Sequence, residues 1–131
     1  MHYPTVLLID DEPHMRNLVL ACLRELPATF SLASDGREAL ALCSQRRFDL
    51  IVTDLVMPGM DGTEFIRLVR ERKLNAETPV IILTGDGHTR TAAMIEEIRA
   101  FAIFAKPFSP STLLQAGRAA LARPHSGPSG A

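Results

Sequence analysis

The sequence predicts an α/β fold in which five parallel strands form a doubly wound sheet covered by five helices. Short apolar runs rich in β-branched residues alternate five times with amphipathic stretches of helical period. This alternation favours parallel strands joined by right-handed helical crossovers. Polar and charged residues follow several of the apolar runs. Because ligands of doubly wound sheets bind beyond the carboxyl ends of the strands, these residues are candidates for a functional site.

Five segments have the composition of strands. They are residues 5–10, 29–33, 49–54, 79–84 and 101–105. The third and fourth segments are apolar almost throughout, which is typical of central strands covered on both faces. The second segment has the weakest strand pattern of the five.

Apolar residues at intervals of three and four predict a helix after the first strand. They are Met15, Leu18, Val19, Cys22, Leu23 and Leu26. Pro13 suits the first turn of this helix, and Pro27 ends it. The second helix begins after Asp35. The third begins after Asp61, which can cap it, with Glu64 three residues further on.

The last two helices are predicted at residues 89–99 and from about 110 to 121. Gly117 weakens the middle of the final helix. Residues 123–131 are rich in Pro, Gly and Ser and have no apolar period, so we expect a disordered tail or a linker stub there. The predicted folded domain therefore covers residues 1–122.

The size and composition of the chain indicate one ordinary globular domain. It has 131 residues, of which 47% are hydrophobic and 22% charged, and a net charge of −1. This balance argues against a nucleic-acid-binding surface. The N-terminus lacks the basic start of a signal peptide and no run is long enough to span a membrane, so we expect a cytoplasmic protein. Cys22 and Cys43 are expected to be small buried hydrophobes.

Five side chains stand at or just past the ends of four predicted strands. They are Asp10, Asp11, Asp54, Thr84 and Lys106. If the strands are parallel, all five emerge at the same edge of the sheet. Carboxylates attract a hard cation such as Mg²⁺, which prefers oxygen ligands, and a carboxylate can also accept a phosphoryl group. The set predicts a site that binds a divalent cation and passes a phosphoryl group onto an aspartate.

Each of these residues also has a simpler interpretation. Asp11 could cap the first helix or balance its dipole, and Glu12 is better explained as a first-turn helix residue than as a ligand. Asp54 could be a turn residue, Thr84 an N-cap and Lys106 a surface charge. The functional interpretation depends on their convergence at one edge. Three acids after the first strand, in place of a glycine-rich turn, disfavour a dinucleotide site.

Four motifs in order resemble the receiver domain of two-component response regulators, the CheY-like group. They are LLIDDEP, DLIVTDLVMPGMDG, PVIILTG and AKPF. The 30 residues from Asp54 to Thr84 and the 22 residues from Thr84 to Lys106 are similar to receiver spacings. The resemblance covers residues 5–122 and implies the flavodoxin-like strand order 2-1-3-4-5.

This resemblance implies a role for each acid of the site. Asp54 would be the phosphoacceptor, Asp11 would be a direct Mg²⁺ ligand, and Asp10 would bind the ion through water or position it. The backbone carbonyl of Val56 would be a further ligand. Mg²⁺ is therefore the expected cofactor.

The resemblance also implies contacts with the phosphoryl group and with a donor. Thr84 would hydrogen-bond to the phosphoryl group and move with it, and Lys106 would pair with it. The donor would be a phosphohistidine on a sensor histidine kinase or a phosphotransfer protein. The domain would catalyse only its own phosphorylation and dephosphorylation, so we do not expect an enzyme that acts on other substrates.

Ile103 departs from the receiver pattern, in which an aromatic residue often stands three positions before the lysine. Phe104 is adjacent but points to the opposite face of the strand by alternation. One hypothesis is that Phe101 and Ile103 belong to a patch on the face of the fourth helix, fifth strand and last helix, which docks a partner or a second copy in a homodimer. The alternative is that both face the core. Val56 offers no amide or acid to order an attacking water, which predicts slow self-dephosphorylation.

Two other functions are open on the sequence alone. A receiver-like interaction module could work without phosphorylation, although all five site residues are present. A small phosphatase of the haloacid-dehalogenase type also uses Asp, Thr, Lys and Mg²⁺ at a sheet edge. That class needs its nucleophile in a D-x-D motif, whereas the acids after the first strand are contiguous here.

Overall fold

The computed structural model describes residues 3–85 and 96–123. Its strands are β1 (Thr5–Ile9), β2 (Thr29–Ala33), β3 (Leu50–Asp54), β4 (Val80–Thr84) and β5 (Ala102–Ala105). Its helices are α1 (Pro13–Leu23), α2 (Gly36–Gln45), α3 (Gly62–Arg70) and α4 (Pro110–Ala122). Residues 96–98 are also helical and match the end of the helix predicted at 89–99. The rest of that helix and the predicted tail from residue 124 onward lie outside the described residues.

All five strands are parallel and pair in the order β2-β1-β3-β4-β5, so the predicted fold class and strand order are confirmed. The chain runs outward from β1 to β2 and then returns to β3 on the other side, which places the switch point between β1 and β3. Asp54 pairs with Leu83, and Thr84 pairs with Ala105. Because this register keeps the strand ends level, the residues that follow the strands share one edge.

The sheet separates two hydrophobic clusters. Leu7 belongs to the cluster that includes α2 and α3, and its neighbour Leu8 belongs to the cluster that includes α1 and α4. This alternation is the normal consequence of the strand pleat. Ile98 joins the first cluster, so the helical residues 96–98 pack on the same face as α2 and α3. Gly117 allows α4 to approach α1 and the turn after it closely, since a Cβ there would lie 3.3 Å from a methyl group of Leu23 and 3.1 Å from one of Leu26.

Side-chain caps determine where the helices begin. The Glu12 carboxylate accepts hydrogen bonds from the backbone N–H groups of His14 and Met15 at 3.0 and 2.9 Å. The His14 N–H, ahead of the other influences, holds the pKa of Glu12 below its ordinary value. Glu12 is therefore the N-cap of α1, one position before the helical turn in which the sequence places it. Asp61 caps α3 as predicted and accepts a hydrogen bond from the Glu64 N–H at 2.8 Å.

The first helix is shorter than its apolar pattern predicts. It ends at Leu23, and Leu26 lies in the turn that follows, where it remains buried. The turn folds back onto the cluster that includes α1 and α4, which is why the spacing of apolar residues continues beyond the end of the helix. Leu18 is 50% exposed instead of facing the core. The strand boundaries agree with the predicted ranges to within one residue.

A fully buried asparagine stabilises the sheet at the end away from the strand-end edge. The Asn75 amide donates to the carbonyls of Cys43 and Arg46 at 2.9 and 3.0 Å. Its oxygen accepts from the Phe48 N–H at 2.8 Å and from the Thr78 hydroxyl at 2.9 Å. Asn75 thus links the end of α2 to the segments that lead into β3 and β4.

Candidate functional site

The predicted site residues converge at the carboxyl edge of the sheet. Asp10 directly follows β1, Asp54 ends β3, and Lys106 directly follows β5. The Lys106 ammonium contacts a carboxylate oxygen of Asp10 at 3.2 Å and one of Asp54 at 3.1 Å. The side chain of Lys106 is 16% exposed, that of Asp10 is 6% exposed and that of Asp54 is 12% exposed. The contacts join residues 96 and 52 positions apart in the chain, so the tertiary fold assembles the site.

The Lys106 ammonium is held in its charged form by the two acids. Burial by itself lowers the pKa of Lys106, but attraction to Asp10 and Asp54 and the hydrogen bonds to both outweigh it, so the net shift is upward from 10.5. The backbone N–H of Lys106 donates to the Thr84 carbonyl at 2.9 Å. The end of β4 therefore positions the lysine. The Lys106–Pro107 peptide bond that follows is cis.

Asp10 is the most buried acid of the site, with 4% of its surface exposed. Burial raises the pKa of its carboxyl above the ordinary value of 3.8. The Glu12 N–H, which donates to Asp10 Oδ1 at 3.0 Å, and the Lys106 ammonium act in the opposite direction. The nearby Asp54 adds to the upward shift. The negatively charged form of an acid in this environment is stabilised when a second positive charge binds beside it.

Asp11 supplies the exposed side of the site. One carboxylate oxygen from each of Asp10, Asp11 and Asp54 lies within 4.8 Å of the others. Three hard oxygen donors, with one of them open to solvent, fit Mg²⁺, which binds through a few carboxylates and retains several waters. The repulsion among the three carboxylates is only partly relieved by Lys106, so the donor set also suits a cation electrostatically.

The loop after β3 holds Asp54 from the backbone side. The Val56 N–H donates to Asp54 Oδ1 at 3.3 Å, and the Val56 side chain is 59% exposed. The Gly62 N–H donates to the Leu55 carbonyl at 2.7 Å. A Cβ on Gly62 would lie 2.3 Å from the Asp54 carbonyl oxygen, so only glycine permits this close approach of α3 to the strand end.

Thr84 is fully buried at the end of β4. Its position beside Ala105 of β5 brings it to the same edge as Lys106, as predicted from the sequence. Strand β4 is buried at every position, which makes the location of Thr84 a consequence of sheet packing.

One residue near the site was not identified from the sequence. Arg16 of α1 donates from Nη1 to the Asp10 carbonyl at 2.9 Å. The available signal was its spacing, because Arg16 lies three residues before Val19 and seven before Leu23, the two buried residues of this helix. An arginine on the buried side of a helix needs a hydrogen-bond acceptor nearby, because an unpaired buried donor is unfavourable.

Ile103 and Phe101 pack on different faces of the sheet. Ile103 contacts the cluster of α2 and α3, whereas Phe101 and Phe104 contact the cluster of α1 and α4. The predicted opposition of Ile103 and Phe104 is therefore confirmed. Phe101 and Ile103 do not share one face of the sheet, because Phe101 precedes β5 and does not follow the alternation of the strand. Each packs against a core cluster, as the alternative expected, and docking of a partner beside them stays a prediction. The Arg123 guanidinium lies over the Phe101 ring at 5.6 Å.

The fold and the acidic edge together define a CheY-like α/β domain, and comparison with known proteins identifies the family. Residues 6–118 match the model of the response regulator receiver domain. The chain belongs to this family and is a receiver domain of two-component signalling. Domains of this family interact with histidine kinases, and they use Mg²⁺ at an aspartate cluster such as the one formed by Asp10, Asp11 and Asp54.

Individual relatives and structures agree with this assignment. The transcriptional regulatory protein ResD of Bacillus subtilis is 36% identical over 118 residues, which cover 90% of this chain and 48% of ResD. The phosphate regulon transcriptional regulatory protein PhoB of Pseudomonas aeruginosa is 32% identical over 119 residues, which cover 91% of this chain and 52% of PhoB. This chain thus spans about half the length of these curated relatives.

Two solved structures have the same fold at similar identity. The chemotaxis response regulator CheY4 of Vibrio cholerae superimposes with a TM-score of 0.81 at 34% identity, covering 91% of this chain and 99% of CheY4. The receiver domain of an HD domain-containing protein from Pseudomonas fluorescens has a TM-score of 0.83 at 30% identity, covering 92% of this chain and 88% of that one. Within residues 3–85 and 96–123, no helix is long and apolar enough to cross a bilayer.

Proposed function

We propose that Asp54 is the phosphoacceptor of this receiver domain, and that the domain covers residues 1–122. The observation that carries the proposal is the bridging position of Lys106 between Asp10 and Asp54 at the strand-end edge. A structural ion pair needs only one acid. Here the ammonium lies between two, and a third carboxylate stands beside them on the solvent side.

The reaction is a phosphoryl transfer between two side chains. A carboxylate oxygen of Asp54 forms a bond to phosphorus while the bond from phosphorus to the donor's imidazole nitrogen breaks, and the electron pair of that bond stays on the imidazole. Lys106 moves from pairing with the Asp54 carboxylate to pairing with a phosphoryl oxygen. The Thr84 hydroxyl donates a hydrogen bond to a second phosphoryl oxygen. These contacts stabilise charge that spreads over the phosphoryl oxygens during transfer.

Asp10, Asp11, Asp54 and the carbonyl of Val56 are the residues that would hold Mg²⁺. When bound, the ion neutralises negative charge on the transferring phosphoryl group and on the surrounding acids. Asp11 contributes an exposed carboxylate that is accessible to a hydrated cation. Asp10 is fixed by the Glu12 N–H and by Lys106, which keeps its carboxylate turned toward the site.

The phosphoryl donor is a phosphohistidine on a sensor histidine kinase or a phosphotransfer protein. The acyl phosphate adds negative charge at the edge of the sheet, and this charge alters partner binding on the surface. The proposed output surface lies along the edge strand β5, with residues 96–98 on one side of it and α4 on the other. A target or a second copy of the chain docks there. Backbone resonances of β5 should shift when a phosphoryl analogue binds, and their constancy would exclude this surface.

Mass spectrometry tests the phosphoacceptor directly. A small phosphodonor with Mg²⁺ should add about 80 Da to the parent, which is the mass of one phosphoryl group. Asp54→Ala should gain nothing. Asp61→Ala is a matched control, because Asp61 lies in the same loop and its carboxylate caps α3 by accepting the Glu64 N–H. A folded parent that gains no mass from either a small donor or a phosphohistidine donor would favour an interaction module that works without phosphorylation.

A further inference from the structure

Arg16 is joined to the acidic edge through the backbone instead of through a carboxylate. Its Nη1 donates to the Asp10 carbonyl at 2.9 Å. That carbonyl belongs to the peptide group that connects Asp10 to Asp11. Because a peptide group is planar, holding its oxygen fixes the direction in which the chain leaves Asp10 and enters Asp11.

Asp11 has few other constraints. Within the described residues its exposed carboxylate makes no hydrogen bond or ion pair. Asp10, in contrast, is held at its carboxylate by the Glu12 N–H and Lys106, and its own N–H donates to the Ala33 carbonyl at 3.2 Å. The contact of Arg16 with the shared peptide therefore constrains the orientation of Asp11, together with the Glu12 N–H bond to Asp10 Oδ1 that spans it.

The guanidinium of Arg16 is placed where its own hydrogen bonding is incomplete. Its Nε is buried and has no hydrogen-bond partner among the described residues. Arg16 also lines a small cavity of about 10 Å³ together with Asp10, Thr53 and Asp54. A buried donor without a partner is unfavourable for folding. Stability alone therefore does not account for an arginine at this point of the helix.

We propose that Arg16 is a positioning residue of the cation site: it holds the Asp10–Asp11 peptide so that the carboxylates of Asp10 and Asp11 face Asp54 together. This inference rests on the proposed function of the site. It places Arg16 one layer behind the residues that would bind the cation, at the junction of α1 with β1.

The sign of the effect on cation binding separates this role from simple electrostatics. Removal of a positive charge near a cation site tightens cation binding if only charge repulsion matters. Loss of a group that orients the ligands weakens it, typically by 10- to 100-fold for residues that support metal ligands. The two explanations therefore predict opposite changes for the same substitution.

The experiment measures Mg²⁺ affinity by calorimetry and urea unfolding of the metal-free chain for Arg16→Met and Arg16→Lys. Arg24→Met is the matched control, because Arg24 is exposed at the other end of the same helix. We expect Arg16→Met to weaken Mg²⁺ binding at least about tenfold relative to Arg24→Met, with similar unfolding midpoints. Arg16→Lys keeps the charge but is one bond too short for the same contact, so it should also bind Mg²⁺ more weakly than the parent.

A second readout does not involve the cation. The carbonyl ¹³C resonance of Asp10 in the metal-free protein should shift in both Arg16 variants and stay constant in Arg24→Met. Unchanged Mg²⁺ affinity in Arg16→Lys, or tighter binding in Arg16→Met, would overturn the positioning role while leaving the proposed function intact. If Arg16→Met does not fold, Arg16→Lys decides the question alone. A parent that neither binds Mg²⁺ nor takes up a phosphoryl group would overturn the proposed function, and this inference with it.

Discussion

Replacing Lys106 with methionine should destabilise the domain at neutral pH, since it removes the cation that lies between Asp10 and Asp54. Methionine fills a similar volume without charge. The lysine side chain is 16% exposed and its two partners are 6% and 12% exposed. Two acids at this depth then face each other without a counter-ion, and the Coulombic repulsion is poorly screened by water.

Removing one partner of a buried ion pair costs about 3–5 kcal/mol in measured cases. The lower end applies here, because Asp10 can relieve the repulsion by taking up a proton. We therefore expect a loss of about 3 kcal/mol in the free energy of unfolding at pH 7.5. With a urea dependence of about 1–3 kcal/mol per molar, the unfolding midpoint falls by about 1–3 M.

The size of this loss depends on pH through Asp10. Folding raises the pKa of Asp10 above 3.8, so the stabilisation that comes from its protonation is complete below 3.8 and disappears as the pH rises through the folded-state pKa. Lys106 lowers that folded-state pKa, and its removal must raise it further. The difference between parent and Lys106→Met should therefore be smaller at pH 5 than at pH 7.5. The stabilising charge on Lys106 persists in the parent until the pH exceeds 10.5.

Urea unfolding followed by far-ultraviolet circular dichroism provides the assay, because the chain has no tryptophan and one tyrosine. EDTA keeps divalent cations from substituting for the lysine. Lys73→Met is the matched control, because Lys73 is the other lysine of the chain and is exposed. Equal stability of the parent and Lys106→Met at pH 7.5, or a difference that does not change between pH 5 and 7.5, would contradict a stabilising role of the Lys106 charge.

Three further substitutions test other parts of the molecule. Gly62→Ala places a Cβ 2.3 Å from the Asp54 carbonyl oxygen, so it should cost about 2 kcal/mol of stability in urea and slow phosphorylation of Asp54; unchanged stability would contradict the close approach. Asn75→Ala removes four hydrogen bonds and should cost about 3–4 kcal/mol by the same assay. Val56→Asn should shorten the acyl-phosphate lifetime, because an amide there can order an attacking water, and equal lifetimes would contradict it.

Most of the fold was predictable because its signals are local. Apolar residues repeat at different intervals in strands and in helices, so the two kinds of element can be told apart in the sequence. Because strands and helices alternate along the chain, a parallel sheet is the expected arrangement. The Asp61 cap acts on the N–H group three residues further on, so a short motif is enough to predict it. Glu12 was placed one position too far into the helix, in the first turn instead of at the N-cap. The first helix was predicted too long because Leu26 keeps the apolar interval while lying in a turn.

The long-range supports of the structure were not predictable in the same way. Asn75 bonds to groups 27 to 32 positions earlier in the chain, and no local pattern distinguishes it from an ordinary loop asparagine. Phe101 and Ile103 are two residues apart and suggest a shared face. Because Phe101 stands before the strand begins, the structure places the two on opposite sides of the sheet.

The order of residues is enough to show which side chains stand at the ends of the strands, since this depends only on where each apolar run stops. It thereby identified Asp10, Asp11, Asp54, Thr84 and Lys106 as one candidate site. The contacts of Lys106 with both Asp10 and Asp54, and that of Arg16 with the peptide after β1, become visible only in the folded chain. Such contacts depend on strand order, register and the burial of particular atoms, which emerge only when residues far apart in the chain pack together.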